Sequence, residues 1–261
     1  MYHEVNIGEK KKDLKRQIQK SFILSVAQFE QQMKYLAEHN FHTISLYDVI
    51  KALLKKSFQG LPFNPVVITF DDGYRGNYQY AFPILKQYGF QATFFVIVNR
   101  IGKSNMMDYD QLNELLQAGM SVQSHSMNHH LLGEMPDSEM LLDLEASKRI
   151  IEENLKTHVN FISLPLGSYN SKYPIYAQKA GYIGGCTSNI GYIEPDTNPF
   201  LLNRISITDR YDIKTFSLFT SGQERKLVRL RTRRTIRNGI KFLCGEKNLN
   251  KLYNLIYGVN E

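Results

Sequence analysis

Two hydrophobic rhythms alternate along the chain. Val66-Val67-Ile68-Thr69-Phe70 and the stretch from Ala92 to Val98 are runs of apolar or β-branched residues without helical period. Such runs read as strands buried on both faces, as in parallel sheets. Elsewhere apolar residues return every three or four positions, as on one helix face. Phe29, Met33 and Leu36 mark one such face. Ser25 opens that helix, with Gln28 three residues on as a capping box, and Asn40 ends it. Further helices are expected over Leu46 to Lys56, Tyr78 to Tyr88, Asp108 to Gly119, Asp137 to Leu155 and Ser171 to Ala180. Short strands are expected at Ile44 and Leu46, Met120 to Ser124, Phe161 to Leu164, Tyr182 to Thr187 and Leu202 to Ile207. Strands alternating with helices imply parallel βαβ units, and we expect an α/β barrel.

The strand over Val66 to Phe70 ends in Asp71-Asp72-Gly73. Adjacent carboxylates at a buried strand end are costly unless something pairs with them, and a metal ion is the usual partner. The plainer reading is a strand entering an Asp-Asp-Gly turn. A second stretch, Ser121 to His130, shifts the balance. His125 and His129 are four apart, which on one helical turn places both imidazoles on one face. With one aspartate they form a plausible triad for Zn²⁺ or a similar divalent ion. Both stretches follow strand ends, so in an α/β fold both fall on the C-terminal edge of the sheet, where sites are built.

Thr69-Phe70-Asp71-Asp72-Gly73 followed by His125-Ser126-x-x-His129 resembles the first two motifs of the polysaccharide deacetylase family, the NodB-homology or carbohydrate esterase family 4 enzymes. The resemblance runs from Tyr2-His3-Glu4-Val5, similar to the family's first strand, to about Ile207. It implies a distorted, incomplete (β/α)7 barrel and a metal-dependent hydrolase that removes N-acetyl groups from amino sugars. By resemblance, Asp71 is the general base and Asp72, His125 and His129 are the metal ligands. Gly73 and Tyr74, with Pro165, Leu166 and Gly167, would contact substrate, and the Leu166 N–H would complete an oxyanion hole. Ser163-Leu164-Pro165-Leu166-Gly167 stands where the family has Arg-x-Pro-x-Gly, so Ser163 replaces the arginine that steadies the base. Some deacetylases of surface polysaccharides are similar in lacking it. Arg204 is the candidate substitute; the alternative is an ordinary surface arginine. The family's late histidine, which protonates the leaving amine, has no counterpart, since no histidine follows His158. His3 is read first as a structural histidine held by its neighbours, and second as a residue reaching the site.

Composition adds limits. Cys186 and Cys244 are too few for a disulfide framework, and no apolar run approaches a transmembrane helix. Met1 to Ile7 is too short for a signal peptide and Glu9 to Lys20 is a charged loop, so the expected compartment is the cytoplasm. The net charge is +7. Arg229, Arg233, Arg237 and Lys241 recur every four residues beside an apolar face of Val228, Ile236, Ile240 and Leu243. That resembles a basic amphipathic helix for peripheral contact with an anionic membrane; the alternative is a solvated face packed on the barrel. No base-reading motif accompanies the charge, so nucleic acid is not an expected partner. We expect a deacetylase domain over 1–210 and a basic helical C-terminal extension over 211–261. The substrate would be an N-acetylated polysaccharide or lipid-linked glycan, and the cofactor a divalent metal, with Zn²⁺ favoured by ligand type. A catalytically impaired glycan-binding protein and a carbohydrate O-acetyl esterase are the alternative functions.

Overall fold

The computed structural model describes residues 1–7 and 22–222. The charged loop from Glu9 and the basic tail from Gln223 lie outside the described residues. One compact unit spans Met1–Ser217; of a second unit, Leu218–Glu261, only residues 218–222 are described.

The strands are β1 (Glu4–Asn6), β2 (Ile23–Ser25), β3 (His42–Thr43), β4 (Pro65–Val66), β5 (Thr69–Phe70), β6 (Thr93–Val96), β7 (Ser121–Ser124), β8 (Phe161–Ser163) and β9 (Gly184–Cys186). Between and after them run α1 (Val26–Glu38), α2 (Leu46–Leu54), α3 (Phe82–Gln87), α4 (Tyr109–Gln117), α5 (Asp137–Leu155), α6 (Tyr173–Lys179) and α7 (Ile213–Thr220). β5 to β9 form one parallel sheet in chain order, joined by helical crossovers. Two further segments flank it. Tyr2 bridges Phe70 in parallel, and Leu202 bridges Cys186 in parallel. The Ile207 N–H then donates to the Met1 carbonyl at 2.9 Å, so the last segment meets the first. The result is a distorted, incomplete (β/α) barrel whose first and last staves are held by bridges rather than full ladders.

Four local expectations change. The run Val66 to Phe70 is not one strand: β4 pairs with β3, while β5 pairs with β6. Its residues serve two sheets, and the chain breaks register at Val67-Ile68. The helix over Tyr78 to Tyr88 starts as a π-turn over Asn77–Ala81 before α3. The stretch from Leu202 to Ile207 is extended but irregular, with one bridge only. Ile44 and Leu46 also shift role, since β3 precedes them and Leu46 begins α2.

Local signals in the helices match their sequence well. Capping boxes close at Ser25/Gln28 and Asp108/Gln111, and α5 runs from Asp137 to Leu155. Under the first stave, Phe70 stacks on Phe94 at 4.8 Å and on Tyr2 at 5.4 Å, while Phe29 from α1 meets Tyr2 edge-on. This aromatic packing fixes the ends of β5 and β6, and Asp71 and Asp72 follow directly from β5.

Candidate active site and metal centre

Asp71 and Arg204 are both buried, 3% and 8% exposed. The guanidinium meets the carboxylate as a fork, Nη1 to Oδ1 and Nη2 to Oδ2, each at 2.8 Å. That is the strongest geometry available to an arginine–carboxylate pair. Arg204 is itself anchored by Nε donating to the Thr187 carbonyl (2.9 Å) and Nη1 to Thr69 Oγ1 (3.3 Å). Its plane lies 5.7 Å from the Phe95 ring. Ser163 joins the same pair, its Oγ donating to Asp71 Oδ2 (2.9 Å) and accepting from Arg204 Nη2 (2.7 Å). Burial pushes the Asp71 carboxyl up, but Arg204 first, then His125 and His3, outweigh it and hold it well below the ordinary carboxylate range. Asp71 is therefore ionised at neutral pH. The structure places Arg204 where it can steady Asp71 from the last stave, and gives Ser163 a place in the same network.

Asp72 follows in the left-handed region, φ +74, which turns its side chain to a different set of neighbours. Its Oδ1 lies 3.5 Å from His125 Nε2 and 3.5 Å from His129 Nε2. One ligating atom from each of the three residues falls within 4.8 Å of the others. His125 Nδ1 lies 2.7 Å from the Ser163 carbonyl, a contact that holds a ring proton there and directs Nε2 to Asp72; burial lowers the ring's pKa, but Asp72 first and then Asp71 outweigh it and raise it. Burial and the neighbouring His125 lower His129 to about 4, so that ring is neutral near pH 7 and its nitrogen is free to ligate. Two imidazole nitrogens and a carboxylate converging from a buried strand edge fit a divalent ion such as Zn²⁺.

The reason expected for the histidine pairing is corrected by the structure. His125 and His129 do not share a helical turn; they flank a loop after β7. Ser126 and His129 both adopt φ +65, a conformation costing about 1–2 kcal/mol per non-glycine residue. Ser124 Oγ accepts from the Ser126 N–H (3.2 Å) and Ser126 Oγ from the His129 N–H (3.0 Å). These hydroxyl bonds replace the helical ladder.

The remaining candidates lie around this centre. Gly73 is left-handed at φ +87, and a Cβ there would meet Val96 Cγ1 at 3.1 Å. Burial first, then Asp72 and Glu4, push the Tyr74 hydroxyl up to about 12. Pro165 is buried, whereas Leu166 is left-handed and 70% exposed. A cavity of about 460 Å³ is lined by His129, Leu131, Met135, Glu139 and Leu166 among others, so the Leu166 turn and His129 share one opening. Gly167 is required by contact: a Cβ would stand 2.7 Å from the Ser188 backbone nitrogen. His3 packs against the Phe22 ring at 4.5 Å, and its Nδ1 is buried without a hydrogen-bond partner among the described residues. Burial lowers its pKa, and Asp71 and Asp72 oppose that without reversing it. Replacing Asp72 or His125 by alanine is expected to abolish Zn²⁺ retention, measured as metal per chain after purification; full occupancy in either variant would reject this ligand set.

Comparison with known proteins agrees with the geometry. The family model for polysaccharide deacetylases matches residues 59–184. The Bacillus subtilis (strain 168) protein YxkH, named for a polysaccharide deacetylase, is 30% identical over 86% of this chain and 76% of its own. A poly-beta-1,6-N-acetyl-D-glucosamine N-deacetylase of Staphylococcus aureus (strain MRSA252) is 29% identical over 73% of this chain and 69% of its own. Among solved structures, the Streptococcus pyogenes deacetylase PplD in complex with acetate superposes with a TM-score of 0.75 at 26% identity, covering 84% of this chain and 95% of that one. The matched span carries the Asp71-Asp72 turn and the His125–His129 loop, and the similarity in both sequence and barrel extends well beyond them: the chain belongs to the polysaccharide deacetylase family.

Proposed function

We propose that the protein hydrolyses the N-acetyl groups of an amino-sugar polymer, using a divalent ion held by Asp72, His125 and His129. The observation carrying this reading is the division of labour between adjacent carboxylates. Asp71 is forked by Arg204, while Asp72 turns to two histidine nitrogens. An ion bound there would act as a Lewis acid toward the acetamide carbonyl and the attacking water. The chain's own groups supply the rest. Asp71 enters ionised. Its Oδ2 already accepts from Arg204 and Ser163, whereas Oδ1 accepts, among the described residues, from Arg204 Nη1 alone. Oδ1 therefore keeps a lone pair for the proton of the attacking water. A new C–O bond forms, the C–N bond breaks, and acetate and the sugar amine leave.

The leaving amine needs a proton, and His3 is the candidate donor to test, its Nδ1 being buried without a hydrogen-bond partner among the described residues. The name of the Staphylococcus aureus relative makes a β-1,6-linked N-acetylglucosamine polymer the substrate class to try first. The test compares acetate release from N-acetylated and O-acetylated oligosaccharides by the parent and by His3→Gln. The variant should lose about 10²–10⁴-fold on the amide and much less on the ester, because an alcohol leaves with less help from an acid. Equal losses on both would remove His3 from that role. Ester cleavage alone by the parent would make the protein an O-deacetylase.

A peripheral membrane contact through residues 223–261 rests on the charge pattern alone. Its test is liposome binding of the full chain against a chain ending at residue 222; equal binding would end the idea. No helix among the described residues is long and apolar enough to cross a membrane.

A further inference from the structure

The loop that presents His129 lacks a helical ladder, so other bonds must fix it. Two are local, through Ser124 and Ser126. The rest come from neighbouring elements. The backbone N–H groups of Val98 and Asn99 donate to the carbonyls of Ser126 (3.1 Å) and Met127 (3.0 Å). Asn99 Nδ2 donates to Asn128 Oδ1 at the surface (2.6 Å). The Met127 N–H donates to Asp143 Oδ1 at 3.1 Å. Met127 thus has its carbonyl tied to the segment after β6 and its N–H tied to α5, between the two left-handed residues of the loop.

Asp143 is an unexpected residue for its position. The buried stripe of α5 also carries Met140, Leu144, Ser147, Ile151 and Leu155. Packing alone would favour another apolar residue there, since burying a carboxylate is unfavourable without a partner that needs it. Asp143 is only 8% exposed. The partner it serves is the peptide between Ser126 and Met127.

We propose that Asp143 is a positioning residue of the metal centre: by accepting from the Met127 N–H it fixes the loop that brings His129 Nε2 to Asp72. The role rests on the metal reading above. Outer partners of this kind typically alter metal affinity 10–100-fold when removed.

The test measures Zn²⁺ affinity by competition with a chelating dye, on the full chain and on folded variants checked by circular dichroism. Asp143→Leu should bind Zn²⁺ about 10–100-fold more weakly than the parent. Asp143→Asn should stay close to the parent, because its amide oxygen still accepts from Met127. Should the leucine variant not fold, Asp143→Ser carries the same expectation, its hydroxyl being too short to reach. A folded leucine or serine variant with parental affinity overturns the proposal. So does an asparagine variant as weak as leucine, which would assign the effect to charge. If the parent itself takes up no Zn²⁺, the metal site and the positioning role fall together; a parent that binds while no variant differs leaves the site standing and removes only Asp143.

Discussion

Asp71→Asn is expected to retain Zn²⁺ at the parental stoichiometry and to lose about 10²–10⁴-fold in acetate release, the usual contribution of a positioned proton acceptor. The two outcomes separate because the neighbouring aspartates face different partners. Asp72 Oδ1 lies at 3.5 Å from both His125 Nε2 and His129 Nε2, and Asp71 Oδ1 is engaged by Arg204. An amide at position 71 can still accept one bond from Arg204, but it presents a donor where Oδ2 accepted two, and it cannot hold the proton of the attacking water. Metal content and turnover should be read on one sample, well below its unfolding temperature, so that loss of fold is not counted as loss of chemistry. Turnover near the parental rate would end the role of Asp71 as base; loss of metal together with activity would show that the two carboxylates do not divide the work.

Arg204→Met should destabilise the fold strongly. It leaves the Asp71 carboxylate buried, with the desolvation it already bears and without the fork that offsets it. Breaking a buried pair in this way typically costs about 3–5 kcal/mol. The pH dependence has a definite sign. In the parent, Asp71 is depressed below its unfolded value of about 3.9, so its contribution is present above that pH and is lost as pH falls through the lower folded value. In the variant, burial loses its largest opponent, and the folded value is expected to rise above the unfolded one, so that the buried carboxyl is tolerated when protonated and becomes unfavourable as pH rises. The gap between variant and parent should therefore widen from pH 5 to pH 7 in urea unfolding. A gap of less than about 1 kcal/mol at pH 7, or one that narrows with rising pH, would show that solvent or another cation replaces Arg204.

Much of the scaffold was readable because its signals are local. Ser25 with Gln28, Asp108 with Gln111, and the apolar stripe from Met140 to Leu155 each specify an element from within one turn or one helix. The division of Val66 to Phe70 was not readable, because it depends on which distant strands claim each half; β-branched residues alone favour a strand without naming its partner. The spacing of His125 and His129 picked out two residues that converge on Asp72, but not by sharing a helical turn. Ser126 and His129 are left-handed, and the serines between and before the histidines, which cap the loop, were the overlooked sign of it. Ser163 reads in sequence as the loss of an arginine. In space it bonds both Asp71 and Arg204 and lends its carbonyl to His125, which only the meeting of β8 with the last stave makes visible. Asp143 gave no signal beyond a carboxylate in an apolar helical stripe.

On the function proposed, Asp72, His125 and His129 hold a divalent ion on which acetate release depends. Metal content and acetate release from an N-acetylated β-1,6-glucosamine oligomer, measured on one purified sample before and after chelation and again after Zn²⁺ is returned, test it most directly. The expected result is one ion per chain, release that stops with the chelator, and recovery with Zn²⁺. Undiminished release from a chain stripped of metal would contradict it.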